Sequence, residues 1–249
     1  MVIFSPLEQF EIVLLKPGLL SGLDDFFIIT NVSVFIIFIF FVYLYILYFS
    51  VFKTYIIPSK LQSFVEFVYS FIFSILKQQV GFSGRFYFPL LFLIFFFVLL
   101  SNLIGLFPLS FTVTSHIFVT FFLAFSLNFG MIILGFVKHH FKFLLIFVPQ
   151  GAPALLLPLI IVIEVISYLL RTFSLSVRLF ANMMAGHTLL HILSSFVLQL
   201  QSAGYGLFSI LPYIITLMVM VLELAIAFIQ AYVFVILVSI YLKDSLELH

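Results

Sequence analysis

Between Lys142 and Lys243 the chain carries four charged side chains, Glu164, Arg171, Arg178 and Glu223, set in a long apolar stretch. Glu164, Arg171 and Arg178 recur at intervals of seven. On one helix a seven-residue step turns a side chain by only about 20°, so the three fall on a single stripe, which Ala185 continues and Ser174 and Ala181 flank. Small residues on such a stripe admit close approach of another helix. Glu223 and Gln230 share a stripe by the same arithmetic, with Ala227 and Ala231 as a small-xxx-small pair beside it. His187 lies nine residues past Arg178, about 180° round and roughly 13 Å along an ideal helix. A permanent cation on one surface and a titratable imidazole on the other suit proton transfer between two separate polar environments. A structural bridge from Arg178 to Glu164 or Glu223 would also account for the charges. His187 and His191, at i and i+4, have the spacing of two metal ligands on one helix face. With no acidic or cysteine neighbour they read as hydrogen-bonding residues, and a bridging metal is a secondary reading.

The elements that must position these groups follow from composition. The chain is 65% hydrophobic and 8% charged, with 38 Phe in 249 residues and a mean hydropathy of +1.39. Ten basic and nine acidic side chains cannot clothe a water-soluble domain of this length. The chain therefore reads as one polytopic membrane domain. Its net charge of +1, without a basic run, gives no footing for nucleic acid, and zero cysteine excludes disulfides and thiolate metal sites. The first 25 residues hold four acids and one lysine, the opposite of a positively charged targeting segment. Heavy use of Phe, Ile and Leu without Trp or Cys resembles the product of an AT-biased organellar genome.

After an N-terminal segment at 1–25, residues 26–52 are uncharged and long enough to span about 30 Å of hydrocarbon. Residues 59–79 place Ser59, Ser63, Glu66, Ser70, Ser74 and Lys77 at steps of three and four, with Phe64, Val68, Phe71 and Ile75 on other faces. This is the pattern of an amphipathic helix on the membrane surface. The uncharged run from Phe86 to Val137 is twice a span, and a turn near Pro108 divides it into crossings at 86–107 and 114–137. Residues 154–200 would reach roughly 70 Å as a helix, and 206–242 is also longer than an upright crossing. The expectation is an all-α polytopic membrane protein with five membrane-crossing helices plus one amphipathic surface helix. The last two helices are long and strongly tilted as an antiparallel pair.

Lys53, Lys60, Lys77 and Arg85 follow the first span, Lys138 and Lys142 the third, and Lys243 closes the last. The turns near 106–115 and 199–210 carry no lysine or arginine. Spans one, three and five thus end on the basic side, and the acidic N-terminus lies opposite. On this count Glu164, roughly 21 Å before Arg178, and Asp244, roughly 31 Å after Glu223, reach the same basic face. Salt bridges from Glu164 to Arg171 and from Asp244 to Lys243 are the structural alternative there. His139 and His140, beside Lys138 and Lys142, read as head-group contacts, and His116 as interfacial.

The stretches SVRLFANMMAGHTLLH and LELAIAFIQAYVFVILVSIYLKD, with SNLIGLFPLSFTVTSH and SPLEQFEI, closely resemble the subunit-a family of rotary F-type ATP synthases in its mitochondrial form. The resemblance runs over essentially the whole chain. It implies that Arg178 faces the essential carboxylate of the rotating c-ring, with Gln230 and Asn182 as polar neighbours. It implies that His187, His191 and Glu223 line a proton-uptake half-channel and that Glu164 and Asp244 belong to the exit half-channel. The implied function is a proton-translocating stator subunit coupling proton flow to rotation. Its implied partners are the c-ring, the peripheral stalk and stator membrane subunits, the lipid bilayer and protons. No cofactor is implied, and no nucleotide site, since no phosphate-binding glycine loop exists. The implied location is the mitochondrial inner membrane, N-terminus toward the intermembrane space and C-terminus in the matrix. An ion-coupled secondary transporter using the same charges is the alternative, but it calls for inverted repeats with paired broken helices, which the chain does not show. A haem-binding subunit calls for histidines on facing helices, whereas His187 and His191 share one.

Overall fold

The computed structural model describes residues 8–13, 30–51, 57–107, 110–148 and 156–246. Most of the N-terminal segment, the turn at Pro108 and Lys53 lie outside the described residues. The described elements are helices α1 (Asn31–Val51), α2 (Lys60–Gln79), α3 (Phe88–Gly105), α4 (Ile117–His139), α5 (Leu157–Ser202) and α6 (Ile210–Leu246). Short 3-10 segments at Gly81–Tyr87 and Val113–Ser115 lead into α3 and α4, and another at His140–Phe147 follows α4. Among the described residues five stretches are long and apolar enough to cross a membrane: Asn31–Tyr48, Gly81–Gly105, Ile117–Leu144, Leu157–Ser202 and Ile210–Leu246. The protein is an all-α polytopic membrane protein.

Local chemistry sets the helix ends. Ser59, in extended conformation, caps α2 by accepting from the Gln62 amide at 3.3 Å. Pro158 and Pro212 occupy the first turns of α5 and α6, where a missing N–H costs nothing. The α6 helix begins at Ile210, later than the hydrophobic pattern suggests, because Gly204 takes a positive φ of 83° and the chain turns through Tyr205–Phe208. It also runs four residues past Leu242. Lys138 donates to the Leu246 carbonyl at 2.9 Å, and the His139 ring nitrogen lies 3.1 Å from the same oxygen. Both bind the negative end of the α6 dipole, so His139 is a helix-end partner rather than the head-group contact expected from sequence.

The chain packs as two units. The first comprises Met1–Tyr45, Phe97–His116 and Leu179–Gln230; the second comprises Ile46–Phe96, Ile117–Arg178 and Ala231–His249. In the first unit the Phe35 and Phe111 rings lie 5.9 Å apart. Thr114 there donates to the Asn102 carbonyl oxygen at 3.1 Å, with both residues buried. Within the same unit α5 and α6 run antiparallel, since Asn182 meets Gln230 while Gly186, further along α5, meets Glu223, further back on α6.

In the second unit α2 buries Gln62, Val65, Val68, Ile72, Ile75 and Leu76. The apolar face is therefore rotated from the sequence reading: Phe64 and Phe71 are exposed, and Val65 and Ile72 take their places. Between α4 and α5, Asn128 donates to Thr172 and the Thr120 and Ser176 hydroxyls lie 3.4 Å apart. Polar groups facing hydrocarbon need such interhelical partners. Gly135 of α4 abuts the Phe143 ring, leaving no room for a Cβ. Gly135→Ala must displace that ring and is expected to cost about 1–3 kcal/mol, read as a lower thermal midpoint of the solubilised assembly.

Candidate functional site

In the second unit Arg171 is clasped by two carboxylates on two helices. Its Nη2 lies 3.8 Å from Glu164 Oε1, and its Nη1 lies 3.4 Å from Asp244 Oδ2. The groups are 29–39% exposed, so solvent screening leaves little net stabilisation. What the arrangement supplies is position: one guanidinium holds both acids in register. Asp244 is thus partnered by Arg171 and not by the adjacent Lys243. The sequence reading brought Glu164 and Asp244 to one membrane face; the extra turn of α6 brings Asp244 into line with Arg171. Arg171, Ser174, Arg178 and Tyr241 also line a cavity of about 500 Å³, and Arg178 is exposed on α5. Arg171 and Arg178, two members of the stripe deduced from seven-residue spacing, therefore face one cavity.

The first unit holds a different kind of site. Glu223 is 6% exposed, and neither carboxylate oxygen has a hydrogen-bond partner among the described residues. It packs against Gly186: a Cβ there would lie 2.5 Å from Glu223 Oε1. His187, the next residue on α5, lines with Glu223 and Asn182 a cavity of about 270 Å³. The Nε2 of His187 and the Nε2 of Gln230 are likewise buried without protein partners, while Gln230 Oε1 accepts from Asn182 at 3.2 Å. Buried polar groups cost free energy unless hydrogen-bonded, and a cavity of this size beside them has room for water. The site is therefore a cavity with room for water, lined by an acid, an imidazole and the Asn182 amide, which bonds Gln230.

Two contributors were not legible beforehand. Gly186 admits the carboxylate; its only signal was a glycine inside a helical run, where it costs about 1 kcal/mol relative to Ala and so marks a close approach. Asn102, fully buried on α3 with an unpartnered amide nitrogen, sits one turn before Gly105. A Cβ at Gly105 would stand 3.7 Å from His187 Nε2, which puts the last turn of α3 against the imidazole. His116 stacks on Phe111 at 5.1 Å, and burial holds its imidazole below the ordinary value. His191 is half-buried on α5. Among the described residues no three His, Asp or Glu side chains converge as a metal would require, so His187 and His191 have no third ligand there.

A family model described as ATP synthase A chain matches residues 29–243. The chain belongs to this family. It is 45% identical over 250 residues to the ATP synthase subunit a of Chondrus crispus, covering 100% of this chain and 98% of the relative. Against the subunit a of Acanthamoeba castellanii it is 47% identical over 244 residues, with 98% of each covered. Against that of Pelagibacter ubique it is 45% identical over 245 residues, again with 98% of each covered. The chain is accordingly a membrane-embedded, proton-translocating stator subunit of an ATP synthase membrane sector. It works with other subunits of that complex and is not itself a nucleotide-binding enzyme.

Gly186→Ala tests the carboxylate cradle. The added methyl must push Glu223 out of its place, and a misplacement of about 1 Å is worth about a hundredfold in rate. Proton flux through the assembled complex should fall on that scale while the amount of complex is unchanged. Wild-type flux would show that the carboxylate has no fixed position to lose.

Proposed function

We propose that this chain forms two offset aqueous half-channels against a c-ring, with Arg178 separating them. The observation that carries the reading is Glu223, a buried carboxylate without a hydrogen-bond partner among the described residues, set with His187 on the wall of one cavity. Such a group is costly as structure and useful as a proton relay.

Protons enter by His187, with His191 further along α5, and pass to Glu223; imidazole exchanges protons readily near neutral pH. From there they reach the essential carboxylate of a ring subunit. Gln230 and Asn182 hold the polar surface beside the arginine. As each ring carboxylate meets Arg178, the fixed positive charge favours its ionised form, so the proton leaves by the exit path. Glu164 and Asp244, held by Arg171, form the mouth of that path, and their negative charge draws the released proton toward water. Arg178 also repels protons attempting to pass directly between half-channels. Each charge carried across is worth roughly 2.3 kcal/mol per 100 mV, and a direct leak would lose it without rotation. The exposure of Ser174, Arg178, Ala181 and Ala185 on α5 supports close approach by helices of the ring. The peripheral stalk and other stator membrane subunits complete the partner set. The basic residues after spans one, three and five, together with the organelle-like composition, favour the mitochondrial inner membrane, with the N-terminus toward the intermembrane space and the C-terminus in the matrix.

Arg178→Ala should abolish proton-driven ATP synthesis with assembly retained, and Arg178→Lys should also fail, because a desolvated ammonium can lose its proton. Coupled synthesis by either variant would remove Arg178 from its role. Glu223→Gln should lower proton flux by about a hundredfold or more, the usual contribution of a positioned acid–base group.

For the exit, flux is compared for Glu164→Gln, Asp244→Asn and the pair. Because one guanidinium orients both acids, either can serve the path alone, and the double loss should exceed the product of the single ones. Unaltered flux in the double variant would make these acids structural partners of Arg171 only.

A further inference from the structure

We propose that Lys77 and Arg85, at the junction of α2 and α3, bind the phosphate headgroup of an anionic phospholipid. Lys77 stands in the last turn of α2 and Arg85 in the 3-10 segment Gly81–Tyr87 that opens the next span. Gly81, at a φ of 74°, reverses the chain between them. The Lys77 ammonium lies 5.4 Å from the centroid of the Phe82 ring, and the Arg85 guanidinium lies 5.9 Å from that of Phe73. Phe73 and Lys77 are one turn apart on the same face of α2, so the two cations border a common patch. Both are exposed, and among the described residues neither has a carboxylate within ion-pair distance.

An aromatic ring holds a cation by its face and leaves the outward N–H donors free. A guanidinium fork beside an ammonium matches a phosphodiester, which offers several acceptor oxygens and one negative charge. The surroundings select a lipid as its source. Phe82 and Phe86 are 75% and 88% exposed, and they stand at the start of the membrane-crossing stretch Gly81–Gly105. Aromatic side chains at that depth lie beside acyl chains while the cations meet the headgroup layer. An acidic segment of a partner protein would satisfy the charges but not these rings.

The test uses the intact ATP synthase complex carrying this chain, reconstituted in phosphatidylcholine vesicles. They are doped with tail-photoactivatable phosphatidylglycerol or, separately, the same amount of tail-photoactivatable phosphatidylcholine. Adducts on residues 78–88 are quantified by mass spectrometry. The anionic lipid should label this segment in clear excess, and the excess should fall about fivefold for each charge removed in Lys77→Gln, Arg85→Gln and the pair, the factor expected per basic residue near an anionic surface. Arg85→Lys, which keeps the charge but loses the fork, should retain only part of it. If the double variant does not assemble, Lys77→Gln alone decides, since that side chain is exposed. Equal labelling by the two lipids, an excess that survives the substitutions, or photoadducts blocked by a neighbouring protein chain would each overturn the proposal.

Discussion

Hydrocarbon offers no hydrogen bonds, and that absence governs every polar group in this protein. Inside a bilayer each backbone amide must be satisfied within its own segment, which leaves helices as the solution for so apolar a chain. Each side-chain donor or acceptor must then find a protein partner, reach the interface or hold water. The bonds from Asn128 to Thr172 and from Thr114 to Asn102 are answers of the first kind. Lys77 and Arg85, exposed beside the start of a span, are of the second.

The residues proposed for the proton-entry path are answers of the third kind. Glu223, His187 and Gln230 keep buried polar atoms without a hydrogen-bond partner among the described residues. A structural core would have replaced them with aliphatic side chains at lower cost, so their retention marks a place where water is wanted. Gly186 adds a second sign, since a helix-weakening residue is kept where a carboxylate must pass close to backbone. The Arg171 clasp works differently. It is half-exposed and weak as a stabilising pair, yet it fixes two carboxylates from separate helices in one orientation. Charge there serves geometry, whereas in the proposed mechanism the charge of Arg178 is itself the working part.

Much of this was legible in the amino-acid order. Uncharged runs of sufficient length gave the membrane helices, because hydrophobic transfer depends on composition and length alone. The seven-residue recurrence of Glu164, Arg171 and Arg178 placed Arg171 and Arg178 on one lining surface, because helical periodicity is a property of the backbone. The family followed from contiguous stretches around Arg178 and Glu223, which lie within the matched range 29–243.

Tertiary structure decided what depends on rotation and register between helices. Whether α2 presents Phe64 or Val65 inward is a turn of about 100° about its axis, and nothing in a pattern rich in Phe on every side chooses between them. The partner of Asp244 depended on how far α6 continued, which Lys138 and His139 settle from another helix by holding its final carbonyl. The contact of Gly186 with Glu223, and of Gly105 with His187, joins residues remote in sequence. A sequence read alone supplies each helix with its faces, since those follow from covalent geometry. Which faces meet is fixed by side-chain volume and hydrogen bonds across helices, and these exist only once the chain has packed.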